Sequence, residues 1–317
     1  MTRIGAFLLC ILFSAAHAQT YPARSVRIIV PFGVGGPADL YARFLGARLS
    51  KSLGQLFVVE NRPGGGAVTG SDAVAKSAPD GYTLLMMSNT HTVNETLIPQ
   101  KPYALMRDLA PITGVNHSDL LMVIHPSVPA ANLKEFLALA KAKPKVLNYA
   151  SSGPGTPYHM AGELFKSMAQ VDIVHVPYKG SDGARTGILG GQVQMMIDAI
   201  TTMAPNVRAG KLKAMGTTGK TRSSVLPDVP TISEAGVPGY ETGIWLGLMA
   251  PTGTPRAVID KLNAEIVKVL NSPDVKKSWG EQGAVPMAMT PDQFDKFLRE
   301  DIAKWAPIVR ATGMKVE

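Results

Sequence analysis

Three short stretches of the chain bring together residues suited to holding an anion. They are Pro31-Phe32-Gly33-Val34-Gly35-Gly36, Ser151-Ser152-Gly153-Pro154-Gly155-Thr156 and Pro177-Tyr178-Lys179-Gly180-Ser181. Each is rich in Gly, Pro or Ser, follows a β-branched run, and leads into a helical pattern. A turn of this kind leaves the first N–H groups of the helix unpaired and aims the positive end of its dipole above the strand ends. Such a terminus binds a carboxylate or phosphate without needing a lysine. Gly35-Gly36 allows close backbone approach, Pro37 fits the first helical position, and Asp39 is placed to cap the opening turn. Thr156 is expected to cap a helix with Pro157 at its first position, and Ser181 to cap the next one. One capped turn is ordinary in any α/β protein; three glycine-rich ones favour a binding cleft. Phe32, Gly35, Gly36, Asp39, Ser152, Gly155, Thr156, Tyr178 and Gly180 are therefore candidate ligand-binding residues. Ser88-Asn89-Thr90, at the end of another apolar run, joins them. His159, three residues into its helix, and Asp198, at the end of an apolar strand, complete the set. For His159 a half-buried structural role weighs equally, and for Asp198 the alternative is an N-cap of a helix starting near Thr201. Gly64-Gly65-Gly66 is read more readily as close strand–helix packing than as ligand contact.

Catalytic patterns are missing. There is no Gly-x-Ser-x-Gly elbow and no His-Glu-x-x-His, and His91, His117, His125, His159 and His175 show no metal-ligand spacing. No catalytic residue, metal or cofactor is expected. Ala214-Met215-Gly216-Thr217-Thr218-Gly219-Lys220-Thr221 imitates a nucleotide P-loop, with Ala at the first Gly position. A P-loop must open a long helix, whereas Pro227 and Pro230 stop one almost at once. Nucleotide binding is not expected.

The elements that must position these turns alternate strand and helix. Val26–Val30, Phe57–Glu60, Tyr82–Met87, Leu120–Ile124, Val146–Ala150, Ile173–Val176, Val193–Ile197 and Leu212–Met215 read as strands. In the helix from Pro37, residues Leu40, Phe44, Leu45 and Leu49 are expected on one buried face, and Asn132 caps a helix through Lys141. Two amphipathic helices close the chain. Val258, Ile259, Leu262, Ile266 and Leu270 mark one; Phe294, Phe297, Leu298, Ile302, Trp305 and Ile308 mark the other. This alternation argues for an α/β fold with mostly parallel sheets.

Composition narrows the class. The chain has 317 residues, 45% hydrophobic and 18% charged, enough apolar material for two domains with buried cores. A formal net charge of +8 is spread without runs, and aromatics are only 6%, so nucleic acid is not an expected partner. The N-terminus carries Arg3, an apolar run from Ile4 to Ala16, and the small-x-small site Ala16-His17-Ala18. That is a cleavable export signal over residues 1–18, too short to span a bilayer. Cleavage would remove Cys10, the single cysteine, and leave a periplasmic chain without thiols.

The strings Pro31-Phe32-Gly33-Val34-Gly35-Gly36-Pro37-Ala38-Asp39, Val59-Glu60-Asn61-Arg62-Pro63-Gly64 and Pro79-Asp80-Gly81-Tyr82-Thr83-Leu84 carry a family likeness. It continues through Ser151–Thr156, His159, Glu163-Leu164-Phe165, Val176-Pro177-Tyr178-Lys179-Gly180, Gly190-Gly191-Gln192-Val193 and Leu226-Pro227-Asp228-Val229-Pro230-Thr231. The chain resembles the extracytoplasmic solute receptors of tripartite tricarboxylate transporters, the Bug-type family, over nearly its whole mature length. The resemblance implies a two-lobed type II periplasmic binding protein fold with crossing strands and the ligand in the interlobe cleft. It implies lobe 1 from residues 19–118 and 248–317, and lobe 2 from 119–247. It further implies a monomer that captures a small carboxylate, an organic acid, aromatic acid or acidic amino acid, through loop amides and ordered waters. Membrane transporter subunits are the implied partner, with a sensor partner or, less favoured, an enzyme of small acids as the other readings. The chain departs from the family's usual pattern at Pro63-Gly64-Gly65-Gly66-Ala67, at Ser181-Asp182-Gly183-Ala184-Arg185, where Pro-Ala is commoner, and at Gln194. The second departure lies beside the expected pocket and bears on which acid is bound.

Overall fold

A computed structural model describes residues 21–312; the expected export signal lies outside the described residues. From the N-terminus, β1 (Val26–Val30), α1 (Pro37–Leu53), β2 (Phe57–Asn61), α2 (Val68–Ala75), β3 (Thr83–Ser88) and α3 (Asn89–Leu97) alternate strictly. A short α4 (Leu105–Asp108) leads into β4 (Leu109–Ile124), followed by α5 (Leu133–Ala142), β5 (Asn148–Ser151) and α6 (Pro157–Ala169). Next come β6 (Val174–Pro177), α7 (Ser181–Leu189), β7 (Met195–Ala199), α8 (Ile200–Arg208) and β8 (Lys213–Thr217). The chain closes with β9 (Gly243–Pro251), α9 (Arg256–Leu270), α10 (Pro273–Gly280), β10 (Ala284–Pro286) and α11 (Pro291–Thr312). No helix among the described residues is long and apolar enough to cross a membrane.

Strand order is β2-β1-β3-β9-β4-β7-β5-β6, with β8 and β10 also paired to β4. β1 runs parallel to β2 and β3, so their carboxyl ends share one edge, and β5 is likewise parallel to β6 and β7. β9 is antiparallel to both β3 and β4. β4 changes partners along its length. Up to Asp119 it pairs with β9, and from Leu120 it pairs with β7 and β8. Two lobes result, each built on its own strand group and joined by crossing backbone.

Each lobe has its own apolar interior. In the first, Ile28, Leu45, Leu49, Leu84 and Met86 pack with Leu262, Ile266 and Leu270, all fully buried. In the second, Met122, Phe136, Tyr149, Phe165 and Ile197 do the same. Each such side chain contributes roughly 1.5–3 kcal/mol relative to an exposed one. β3 is buried at every residue because sheet neighbours and helices cover it on all sides, as its unbroken apolarity suggests.

Most expected elements occur within one or two residues of their places, with five corrections. The sheet is mixed rather than mostly parallel, because β4 and β9 run antiparallel to every strand they pair with. Leu40 is 53% exposed, and Ala38, Tyr41 and Ala42 share the buried face of α1 with Leu45 and Leu49 instead. Gly180, not Ser181, is the N-cap of α7, and Ser181 is its first residue. α8 begins at Ile200, with Ala199 as its cap and no side-chain bond. The strand expected over Leu120–Ile124 is the last third of a 16-residue β4. Its first part, with Pro111, Gly114, Asn116, His117 and Asp119, lacks apolar alternation, and bulges interrupt its register with β9.

Candidate functional site

The β1–α1 turn is held in shape by side chains that do not themselves form it. The Gly35 amide donates to Oδ2 of Asp39 at 3.0 Å, and Asn61 Nδ2 donates to the Phe32 carbonyl at 3.1 Å. Arg43 ties the two together, contacting Asp39 Oδ1 at 2.9 Å and donating to Asn61 Oδ1 at 2.9 Å. Burial opposes ionisation of Asp39, yet hydrogen bonds from Arg43, the Gly35 amide and Asn61 hold its carboxyl below the usual range. Gly35 adopts φ 80, which favours glycine, and Gly36 caps α1 with no side-chain bond, so the helix N–H groups stay open. Asp39 braces this turn from the third helical position.

The β3–α3 turn carries Ser88, Asn89 and Thr90. Ser88 accepts the Thr90 amide at 3.2 Å and caps the helix. His91 accepts the Ser88 amide through Nδ1 at 3.1 Å, and its Nε2 lies 2.9 Å from Ser71 Oγ. Full burial lowers its pKa to about 4, so the ring is neutral. The Thr90 hydroxyl is fully buried without a hydrogen-bond partner among the described residues. Asn89 donates to the Gly243 carbonyl at 3.0 Å, while its Oδ1 has no partner. Buried polar atoms are normally paired, and both of these unpaired ones lie in the first turn of α3.

In the second lobe the β5–α6 turn is organised by two stacked histidines. Thr156 caps α6, accepting the His159 amide at 3.5 Å and donating to the Gly153 carbonyl at 2.7 Å. The Gly155 amide donates to Nδ1 of His159 at 3.1 Å. His159 lies 3.9 Å from His175, whose Nε2 is 2.7 Å from Ser151 Oγ. Burial lowers the pKa of His159 to about 4 and of His175 to about 3, with Lys166 adding to the first and His159 to the second. Gly155 and His159 are thus committed to each other. The half-buried Ser152 hydroxyl has no hydrogen bond among the described residues.

The β6–α7 turn places Tyr178 along α7. Its ring fills the space that side chains at Gly183 and Gly187 would need. Gly180 has φ 107, and nothing lies within 4 Å of the position its Cβ would take. At the β7–α8 turn Asp198 is fully buried; Arg185 Nε donates to its Oδ2 at 2.7 Å and the Ala199 amide to its Oδ1 at 2.7 Å. Burial raises its pKa and Arg185 opposes that rise. This carboxylate belongs to an internal ion pair.

The turns of the two lobes meet. A Cβ at Gly35 would lie 3.7 Å from Oδ2 of Asp182 in α7, and one at Gly155 would lie 3.4 Å from Oδ1 of Asn94 in α3. Gly35 of the first lobe thus lies beside α7 of the second, and Gly155 of the second lies beside α3 of the first. Asn61, Arg43, Arg185 and Asn94 were not anticipated as supports. Asn61 and Arg185 lie in stretches already singled out, but nothing in the sequence marks Asn94. The P-loop imitation has no helix after it, and a Cβ at Gly219 would fall 2.3 Å from the Asp119 carboxylate, a hostile place for phosphate. Among the described residues no group of His, Cys, Asp and Glu is arranged to hold a metal.

Two α/β lobes with shared crossing strands, meeting through the turns that open α1 and α7, define a bilobal binding protein of the periplasmic kind. The chain belongs to the tripartite tricarboxylate transporter family receptors, whose family model matches residues 41–314. It is 39% identical to the BugT protein of Bordetella pertussis over 100% of this chain and 99% of that one. Among solved structures it is similar to an adipate-bound protein of R. palustris (33% identity, TM-score 0.89, 93% and 99% of the two chains). It is also similar to the malate-bound MatC of Rhodopseudomonas palustris (34% identity, TM-score 0.85, 91% and 100%).

Proposed function

We propose that this protein captures a small carboxylate between its lobes and presents it to the membrane subunits of a tripartite transporter. The observation that carries the reading is the meeting of the glycine-rich turns that open α1 in one lobe and α7 in the other, where a Cβ at Gly35 would lie 3.7 Å from Oδ2 of Asp182. Unpaired N–H groups on both sides suit an acid that touches both lobes. Phe32, Gly35, Gly36, Ser88, Asn89, Thr90, Ser152, Tyr178 and Gly180 face the ligand in this reading. Asp39, Gly155, Thr156, His159 and Asp198 shape the turns, since their polar groups already have partners. Relatives that carry adipate and malate support the ligand class.

The register of β4 and β9 supports lobe boundaries at 119/120 and 242/243, the points where the chain passes from one strand group to the other. We place them there, beside the 118/119 and 247/248 read from the sequence, because β9 pairs with the first part of β4 from its first residue. We further propose export to the periplasm with removal of residues 1–18, action as a monomer, and no enzymatic activity, cofactor or metal.

Thermal unfolding with malate, adipate, an aromatic acid, aspartate and glutamate, against ATP, tests the reading. An acid at a hundred times its dissociation constant adds about 2.7 kcal/mol, a shift of several degrees. No shift with any acid, or a shift with ATP alone, would overturn it.

A further inference from the structure

One approach between the lobes is made where a residue has no side chain. A Cβ at Gly155 would fall 2.5 Å from Cδ2 of Leu97, 3.4 Å from Oδ1 of Asn94 and 3.9 Å from Cγ1 of Val93. All three belong to α3 of the first lobe, while Gly155 belongs to the β5–α6 turn of the second. The first distance is shorter than real Cβ contacts, so a side chain at 155 would have to push the end of the Leu97 side chain aside for this turn to seat on α3 as it does. The contact continues one turn into α6, where Met160 joins Val93, Trp305 and Val309 in a buried apolar cluster. Trp305 and Val309 lie on α11, which itself packs along α3.

We propose that Gly155 and Leu97 form a closure latch, a contact between protein groups that holds the cleft shut and sets ligand affinity through the balance of open and closed states. The proposal rests on the two-lobed receptor reading but not on which acid is bound. The latch contains its own counterweight. Asn94 Nδ2 donates to the Gly66 carbonyl at 2.8 Å and anchors α3 to the β2–α2 turn, but its fully buried Oδ1 has no partner among the described residues. Opening the cleft at Gly155 would hydrate that oxygen and expose Leu97 and Val93. Apolar contact favours the closed form and the orphaned oxygen favours the open one. Apparent affinity scales with the closed fraction, so position 155 acts on binding without donating to the ligand.

The test needs no ligand. Small-angle scattering of the full protein would compare wild type, Gly155→Ala, Leu97→Ala, Leu97→Phe and the Gly155→Ala/Leu97→Ala double variant. Hydrogen exchange of the amides of residues 93–97 would be followed in parallel. Gly155→Ala is expected to enlarge the radius of gyration and speed exchange at 93–97 about tenfold. The double variant is expected to return most of the way to wild type, since the added methyl then meets no Leu97. Leu97→Phe presses on the turn from the helix side, leaves the turn backbone alone, and is expected to widen the protein as well, which decides the matter should Gly155→Ala fail to fold. Wild type as wide as Gly155→Ala and Leu97→Phe would overturn the latch. So would full widening in the double variant, which would place the effect in the φ 71 backbone of the turn. If acids fail to shift melting yet the scattering behaves as expected, the receptor reading falls and the latch stands.

Discussion

The imidazole of His159 lies flat against that of His175, ring centroids 3.9 Å apart and planes 13° from parallel. Two charged rings could not share that stack, and His159 must be neutral at Nδ1 to accept the Gly155 amide. The β5–α6 turn is therefore built on two unprotonated histidines.

Acid should weaken the fold through these rings. His91, His159 and His175 have native pKa values lowered from 6.5 to about 4, 4 and 3. A depressed histidine pKa means the unfolded chain binds more protons below 6.5, so stability is intact above that value and falls as pH drops toward 4. Urea unfolding at pH 7.5, 6.5, 5.5 and 5 is expected to show the loss. His175→Phe keeps a stacking ring without a proton site and should reduce the proton uptake on unfolding by about one. An unchanged slope in that variant would refute the assignment.

Arg185→Met should destabilise the second lobe strongly. It leaves the fully buried Asp198 carboxylate without its cation, a change that costs about 3–5 kcal/mol. Adding Asp198→Asn should recover a good part of the loss. Denaturant midpoints measure both, and a loss below 1 kcal/mol for Arg185→Met would show the pair to be dispensable.

Thr90→Val should separate stability from binding. The hydroxyl it removes is buried and unpaired, so the ligand-free protein should gain about 1 kcal/mol. Affinity for the acid found by the melting screen should fall at least tenfold, about 1.4 kcal/mol. Calorimetric titration checks the second half. Unchanged affinity would remove Thr90 from the ligand-facing set.

Thr156→Ala deletes the α6 cap and is expected to cost about 1 kcal/mol of stability. Because His159 still holds the Gly155 amide, binding should weaken far less than with Thr90→Val. A variant that unfolds as wild type does would show that Pro157 alone starts the helix.

The turns were legible in the sequence because their chemistry is local. Glycines at Gly35, Gly155 and Gly180 announce unusual backbone, and Pro37 and Pro157 announce helix starts. What was not legible depends on distant residues. Asp198 reads as a ligand contact or a helix cap at a strand end until Arg185 is seen beside it. Gly155 reads as room for an anion until Leu97 is found in that room, 58 positions away in sequence. The first part of β4 reads as loop because it answers to β9, which arrives more than a hundred residues later and accommodates its bulges. Leu40 was misplaced because Tyr41 and Ala42, no more apolar by type, happen to point at Trp279 and the sheet.

The place of β9 between β3 and β4 also dictates an order of assembly. Until Gly243–Pro251 has emerged, β3 and the first part of β4 each present a bare edge with no strand between them. The second strand group, continuous from Leu120 to Thr217, has no such gap to wait for. The half of the molecule that begins first in the chain is thus the half that must finish last. Its open edges are the segments most exposed to wrong pairing during that interval. Because a chain is made from its N-terminus, this places a need for protection on the stretch from Val26 to Asp119 rather than on the middle of the sequence.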